Sequence, residues 1–202
     1  GTIDVDGQTI YPIGGISNIT TVLCNESGSH MIYEADEHGF NNPPGLWNGQ
    51  QIEIAATGDS FTAGACVNPA RNAVALVREV YGGTLNLGNS GFGPLTQLAS
   101  IQEYLPEIKP ETVLWFYYEG NDLDDLVQET GTHAVNISPW SFANYLDIEY
   151  SQDLIAKQDE IDRAIAVRSD RLINAATAEK NMVVAPKTLP GVLTLRRLRQ
   201  MV

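Results

Sequence analysis

The chain has 202 residues, of which 12 are Lys or Arg and 25 are Asp or Glu, so its formal net charge is −13 at pH 7. This excess of negative charge repels nucleic-acid phosphates and anionic membrane surfaces, which makes both poor candidates as partners. A length of 202 residues with 43% hydrophobic content is typical of one globular domain with a sizeable core. No apolar run is long enough to cross a bilayer.

The first half of the chain changes its pattern near residue 50. Residues 1–50 are rich in Gly, Asn, Pro and Ser, which predicts an irregular, partly hairpin-like layer of the same domain. Residues 51–150 then alternate between short apolar runs and helical spacing. The predicted elements are a strand over 52–57, a helix over 68–81, a strand over 84–87, a helix over 94–105, a strand over 112–118 and a helix over 122–129.

This alternation predicts an α/β fold, a three-layer α/β/α sandwich around a central parallel sheet of the flavodoxin-like type. Trp115 and Phe116 fall in the middle of the third strand and are expected in the core. Residues 151–202 form a helical C-terminal extension, with an amphipathic helix over roughly 151–180. A short basic helix is expected over 192–201.

Each of the three predicted strands ends in a loop of Gly and small polar residues. The loops are Gly-Asp-Ser at 58–60, Asn-Ser-Gly at 89–91 and Gly-Asn-Asp at 120–122. The carboxyl ends of parallel strands meet at one edge of a sheet, where ligands bind in such folds. The three loops are therefore expected to form one site.

Ser60, Gly91 and Asn121 are the candidate catalytic residues of this edge. A serine at the start of a helix is a possible nucleophile, but also a common N-cap. The Gly91 N–H and the Asn121 side-chain amide are possible donors to an oxyanion. Alternatively, Gly91 serves only a tight turn with positive φ, and Asn121 an Asx turn or a helix cap.

The same three segments resemble the conserved blocks of SGNH (GDSL) hydrolases. The matching stretches are IAATGDSFTAG at 54–64, NLGNSGFG at 86–93 and YYEGND at 117–122. The resemblance implies an ester hydrolase or O-acyltransferase that uses no cofactor, with Ser60 as nucleophile and Gly91 and Asn121 in the oxyanion hole. A looser likeness to bacterial members associated with envelope polysaccharides implies an acylated glycan as substrate and an extracytoplasmic location.

The chain departs from the family pattern at the general base. The family uses a His preceded by Asp three positions earlier, whereas this sequence has no Asp-x-x-His and no His after His133. We expect the missing block beyond Val202. The alternative is a degenerate glycan-binding or scaffold module that has lost its base. Asp36 and His38 are a second possible base pair, although a structural role is the simpler interpretation.

The remaining polar residues support two smaller predictions. Cys24 and Cys66 are expected to form a disulfide, since Cys66 follows the nucleophile and the N-terminal layer must pack nearby. The three histidines show no metal-ligand spacing, and the acidic turn at 122–125 lacks the spaced ligands of a calcium loop. No metal site is therefore predicted. Asp59 is expected to fix the turn before Ser60 by hydrogen bonding.

Overall fold

A computed structural model describes residues 1–26, 28–49, 51–130 and 141–184, with side chains up to residue 174. The chain divides into two compact units, Gly1–Ala166 and Val167–Val202. The first unit contains the sheet, the core and the candidate site. The basic helix predicted over 192–201 lies outside the described residues.

The order of elements follows the alternation that the sequence predicts. None of the described helices is both long and apolar enough to cross a membrane. The strands and α-helices are, in chain order, β1 (Ile3–Val5), β2 (Gln8–Ile10), β3 (Thr20–Cys24), β4 (Met31–Glu34), α1 (Leu46–Gly49), β5 (Ile54–Gly58), α2 (Ser60–Ala63), α3 (Ala73–Val80), β6 (Thr84–Asn86), α4 (Pro94–Tyr104), β7 (Thr112–Phe116), α5 (Asp122–Glu129) and α6 (Gln158–Val184).

The central sheet consists of three parallel strands in the order β6-β5-β7. Strand β5 pairs with β6 through Ala56 and Asn86 and with β7 through Gly58 and Phe116. Small residues fill β5, and all of them after Ile54 are buried. Such a strand can be covered on both faces, as a parallel sheet requires. The α/β class with helices beside a parallel sheet is therefore correct.

Two sequence predictions around this sheet need correction. The helix expected over 68–81 is divided into a 3₁₀ turn over Pro69–Arg71 and α3, because Asn72 is extended and its side chain caps α3 by accepting from Ala75 N at 2.7 Å. Trp115 and Phe116 were both expected in the core, but Trp115 is 57% exposed and Phe116 is only half-buried. Both lie on β7, which among the described strands is hydrogen-bonded to β5 alone.

The N-terminal layer consists of two antiparallel hairpins, β1–β2 and β3–β4. Ile10, Ile13 and Phe40 from this layer share one buried core cluster with Leu85 and Tyr104 of the sheet and its helix. This shared core shows that residues 1–50 pack as part of the first unit.

A disulfide joins the β3–β4 hairpin to the loop that follows α2. Cys24 and Cys66 form this bond with Cα atoms 5.3 Å apart, across a sequence separation of 42 residues. It is the pairing expected from the sequence. The bond fixes the hairpin next to the segment that carries Ser60.

The long C-terminal helix begins later than the periodicity predicts, at Gln158 instead of about 151. The reason is the buried carboxylate of Glu103, which accepts hydrogen bonds from the backbone N–H groups of Gln152 at 2.6 Å and Leu154 at 3.0 Å. It also accepts from the hydroxyls of Tyr145 and Ser151. Residues 151–154 are thereby held against α4 as a loop.

Candidate functional site

Ser60 is the first residue of α2, directly after the central strand β5. Asp59, and not Ser60, is the N-cap, because its Oδ1 accepts from Phe61 N at 2.9 Å. The structure thus disagrees with the N-cap alternative for Ser60 and agrees with the turn-fixing role expected of Asp59. Ser60 is half-buried, and its hydroxyl has no hydrogen-bond partner among the described residues. A partly exposed, unpaired hydroxyl is available for chemistry.

The loop after β6 packs directly against this turn. Asn89 N donates to Gly58 O at 3.3 Å, so the first and second loops are in contact. Gly88 lies so close to α2 that a Cβ at this position would come within 2.6 Å of Ala63 N and Thr62 Cβ. Glycine at 88 is therefore required for the two loops to approach each other.

Gly91 adopts the positive φ that the tight-turn interpretation requires, at +78°. The residue is exposed, and nothing lies within 4 Å of the position a Cβ would take. Its N–H has no hydrogen-bond partner among the described residues. The turn role and the donor role are compatible, because the same turn leaves the N–H open.

Glu129 fixes the segment that follows Gly91 by hydrogen bonding. No local pattern in the sequence identified this role of Glu129. Its carboxylate accepts from the backbone N–H groups of Gly93 at 3.0 Å, Leu95 at 2.8 Å and Thr96 at 3.0 Å, and from the Thr96 hydroxyl. These groups form the N-terminus of α4, which has no other side-chain cap. A charge on α5 therefore fixes the loop that carries Gly91.

Asn121 occupies the N-cap position of α5 but makes no capping bond with its side chain. Its Nδ2 instead donates to Asp125 Oδ2 at 2.9 Å. The Asn121 amide also faces the Asp59 carboxyl and lowers the pKa of that group. In addition, the rings of Phe61 and Tyr118 lie 4.9 Å apart. The third loop thus reaches the residues on both sides of Ser60.

The contact between these loops concentrates acidic groups next to the serine. Asp59 and Asp122 are almost fully buried, at 2% and 0% exposure. Burial raises the pKa of Asp59, and the charges of Asp122 and Asp125 raise it further, against the lowering effects of Phe61 N and the Asn121 amide. Oδ2 of Asp59, Oδ1 of Asn121 and Oδ1 of Asp122 have no partner among the described residues. A donor from outside this set is needed to satisfy them.

The Asp36 carboxylate and the His38 ring hydrogen-bond to other partners and not to each other. The Asp36 carboxylate accepts from His38 N, Phe40 N, Asn42 Nδ2 and Trp47 Nε1, which uses both of its oxygens. The His38 ring turns away, with Nδ1 3.2 Å from Gln158 Oε1. The pair has a structural role in the 36–47 loop, as the simpler interpretation expected.

The other histidines do not supply a base to Ser60 within the described part of the chain. The His30 ring is next to Asn25 Nδ2, at 3.5 Å, in the exposed β3–β4 turn. His133 lies outside the described residues. Across those residues, no group of three or more His, Cys, Asp or Glu side chains has the arrangement to hold a metal ion.

Comparison of the chain with models of known protein families, with curated proteins and with solved structures finds no match. The likeness to SGNH hydrolases therefore depends on the three sequence blocks alone.

Proposed function

We propose that the chain carries the nucleophile and the oxyanion-binding residues of a serine-dependent ester hydrolase or O-acyltransferase with an SGNH-like, flavodoxin-like sandwich fold. One observation carries the proposal. Within the described part of the chain, the Ser60 hydroxyl and the Gly91 N–H both lack hydrogen-bond partners, and they lie on neighbouring loops at one edge of a parallel sheet. The Asn121 amide faces the carboxyl of Asp59, the residue before Ser60, and lowers its pKa.

The reaction would be acyl transfer. Ser60 Oγ attacks an ester carbonyl, and the developing oxyanion is held by the N–H groups of Ser60 and Gly91 and by the Asn121 amide. Collapse of the tetrahedral intermediate releases the alcohol and leaves an acyl group on Ser60. Water as acceptor gives hydrolysis, and a sugar hydroxyl gives transfer. None of these steps calls for a cofactor.

Two further features suggest the substrate class and the location. Phe61, the residue after Ser60, and Tyr118 are 64% and 46% exposed, and their rings are in tilted contact, which offers an aromatic surface to a sugar ring. An acylated glycan fits such a surface. The Cys24–Cys66 disulfide fits an oxidising, extracytoplasmic compartment.

A second candidate is a glycan-binding or scaffold protein of the same fold without catalysis. It is favoured by the engagement of the His38 ring with Gln158 and by the position of His30 in an exposed turn. A triad serine without a base loses several orders of magnitude in rate. The enzyme hypothesis therefore requires that a histidine outside the described residues serves as the base.

Acyl transfer to Ser60 distinguishes the two candidates. The 202-residue chain is incubated with an activated aryl acetate and with imidazole as an external base, and acetylated peptides are mapped by mass spectrometry. The enzyme reading expects one dominant acetyl group on Ser60 that disappears in Ser60→Ala. Ser90→Ala is the matched control, since Ser90 is an exposed serine of the neighbouring loop. Acetylation spread over surface lysines and serines, equal in all three proteins, would contradict the enzyme reading.

A further inference from the structure

A cavity of the first unit lies between the β3–β4 hairpin and α3, and none of the residues that line it belongs to the three loops. Its volume is about 580 Å³, within the range of small-molecule pockets. The walls are mostly apolar carbon, from Ile32, Pro43, Pro44, Pro69 and Ala70, and Ala75 and Arg78 line it from α3. We refer to this cavity as the Arg78 cleft.

The Arg78 guanidinium is fixed in the cleft by two neutral acceptors. Its Nε donates to Thr84 O at 2.8 Å, and its Nη2 donates to Asn42 Oδ1 at 2.7 Å. These bonds satisfy the outer edge of β6, where Asn42 also accepts from Asn86 N. Arg78 therefore uses two of its five N–H groups to stabilise the fold, and the other three have no role in these bonds.

The charge of Arg78 has no direct counter-ion in the part of the chain that the structure describes. No carboxylate of the described residues lies within 4.0 Å of the Arg78 nitrogens. The ion pair found among those residues joins Arg163 and Glu160 instead. The acid whose charge raises the pKa of Arg78 is Asp36, which is buried. The Asn42 amide bridges the two residues, because it donates to Asp36 Oδ2 and accepts from Arg78 Nη2. Desolvation lowers the pKa of Arg78 more than Asp36 raises it. An anion in the cleft would therefore gain a charge-assisted partner.

We propose that the Arg78 cleft binds a small monocarboxylate with a compact apolar body, its carboxylate paired with the free N–H groups of Arg78 Nη1 and Nη2. The remaining N–H groups form the outer edge of the guanidinium, a geometry that matches a carboxylate with two parallel bonds. The proline and alanine walls fit an apolar body. This site does not depend on the reaction proposed for Ser60.

The charges around the cleft favour a single negative charge on the ligand. Glu34 and Glu79 also line the cavity, and the whole chain carries −13. The glutamate charges repel both negative charges of a dianion such as phosphate, but only one charge of a monocarboxylate. The monocarboxylate can still make two hydrogen bonds to Arg78.

Binding is measured by isothermal titration and by the shift of the Arg78 side-chain ¹⁵N resonance in the 202-residue chain. The probes are N-acetyl-leucine, its amide N-acetyl-leucinamide, and inorganic phosphate. We expect saturable binding of the acid with a shift of the Arg78 resonance, and at least about tenfold weaker binding of the amide, because a charged hydrogen-bonded pair is lost. Equal binding of acid and amide, stronger binding of phosphate, or no binding of the acid would overturn the proposal.

Variants locate the binding without disturbing the bonds of Arg78. Ala70→Trp fills the cleft and should abolish binding, whereas Ala73→Trp is the matched control on an exposed alanine that does not line it. Glu79→Gln removes one repulsive charge and should tighten binding by about two- to fivefold. Undiminished binding in the folded Ala70→Trp protein, or weaker binding in Glu79→Gln, would place the ligand elsewhere and refute the assignment.

Discussion

Asn121 and Asp125 are joined by a 2.9 Å hydrogen bond from the side-chain amide to Oδ2 of the carboxylate, one turn along α5. This bond fixes which end of the amide is nitrogen, since only Nδ2 can donate. It also keeps the Asn121 side chain away from the capping geometry common for Asn at a helix start. The same amide also faces the Asp59 carboxyl, one residue before Ser60.

The first prediction concerns Asp125 as the residue that positions the Asn121 amide. Asp125→Ala should lower the rate of imidazole-assisted Ser60 acylation by an aryl acetate about tenfold, less than the 10²–10³ typical for the loss of an oxyanion donor itself. The matched control is Asp124→Ala, which removes the same charge from an exposed neighbour on the same turn. Equal rates for the two variants would show that Asp125 does not position the amide.

The second prediction follows from the raised pKa of Asp59. Its pKa in the folded protein lies above the ordinary value of 3.8, so the folded state binds the proton more tightly than the unfolded state. The free energy of unfolding contributed by this group therefore falls as pH rises from 3.8 through the folded pKa. Asp59→Asn keeps an oxygen for Phe61 N, so it should raise the free energy of unfolding at pH 7.

Urea unfolding at a series of pH values checks the prediction for Asp59. The advantage of Asp59→Asn should shrink toward low pH and vanish below 3.8, where the wild-type carboxyl is protonated in both states. Asp124→Asn, an exposed acid in the adjacent cluster, serves as the control. A variant that is less stable than wild type at pH 7 would show that the charge of Asp59 is compensated.

The third prediction is the opposite result for the same chemical change at Asp36. Burial raises the pKa of Asp36 as well, but its two oxygens accept four hydrogen bonds. An asparagine offers one oxygen, so its amide nitrogen would face two of the donors. Asp36→Asn should therefore lower the free energy of unfolding at pH 7 by about 3 kcal/mol. Urea unfolding measures it, and a neutral or stabilising effect would be the contrary outcome.

The sequence predicted the elements that local patterns determine. Short apolar runs ending in glycine located β5 and β6, and a run of β-forming residues located β7. The loops after the three strands were assigned to one edge by the geometry of parallel strands. Contacts between distant residues were not predictable in this way. Glu129 binds groups 33–36 residues earlier, and Glu103 binds Leu154 51 residues later. A lone glutamate on a helix gives no local sign of such a partner.

The error at Trp115 has a related cause. Aromatic and β-branched residues favour strands whether or not the strand is covered, so the pattern predicts a strand but not its neighbours. Trp115 donates through Nε1 to Gln97 Oε1 and borders an apolar groove between β7 and α4. Its exposure depends on what covers β7, which the local sequence does not encode.

The fourth prediction concerns the Cys24–Cys66 disulfide. Closing a loop of this length removes conformational entropy from the unfolded chain worth about 4 kcal/mol. Cys24→Ser with Cys66→Ser should lower the free energy of unfolding by about that amount. Chemical unfolding compares the double variant with the oxidised protein. A loss well below 1 kcal/mol would show that the unfolded state is already compact without the bond.

The last prediction concerns the missing base. Ser60 has no His partner among the described residues, so the chain should hydrolyse an aryl acetate slowly, and Ser60→Ala should reduce that rate little further. Added imidazole should then restore a Ser60-dependent component, because a diffusing base can take the proton from Oγ. The rescued rate is the difference between wild type and Ser60→Ala at each imidazole concentration, which removes the direct reaction of imidazole with the ester. The Ser90→Ala protein should respond to imidazole as wild type does, since only the hydroxyl of Ser60 is being activated.

Fast, Ser60-dependent turnover without imidazole would mean that the chain already supplies a base. His133 would then be the first residue to replace, because the His38 ring is held by Gln158.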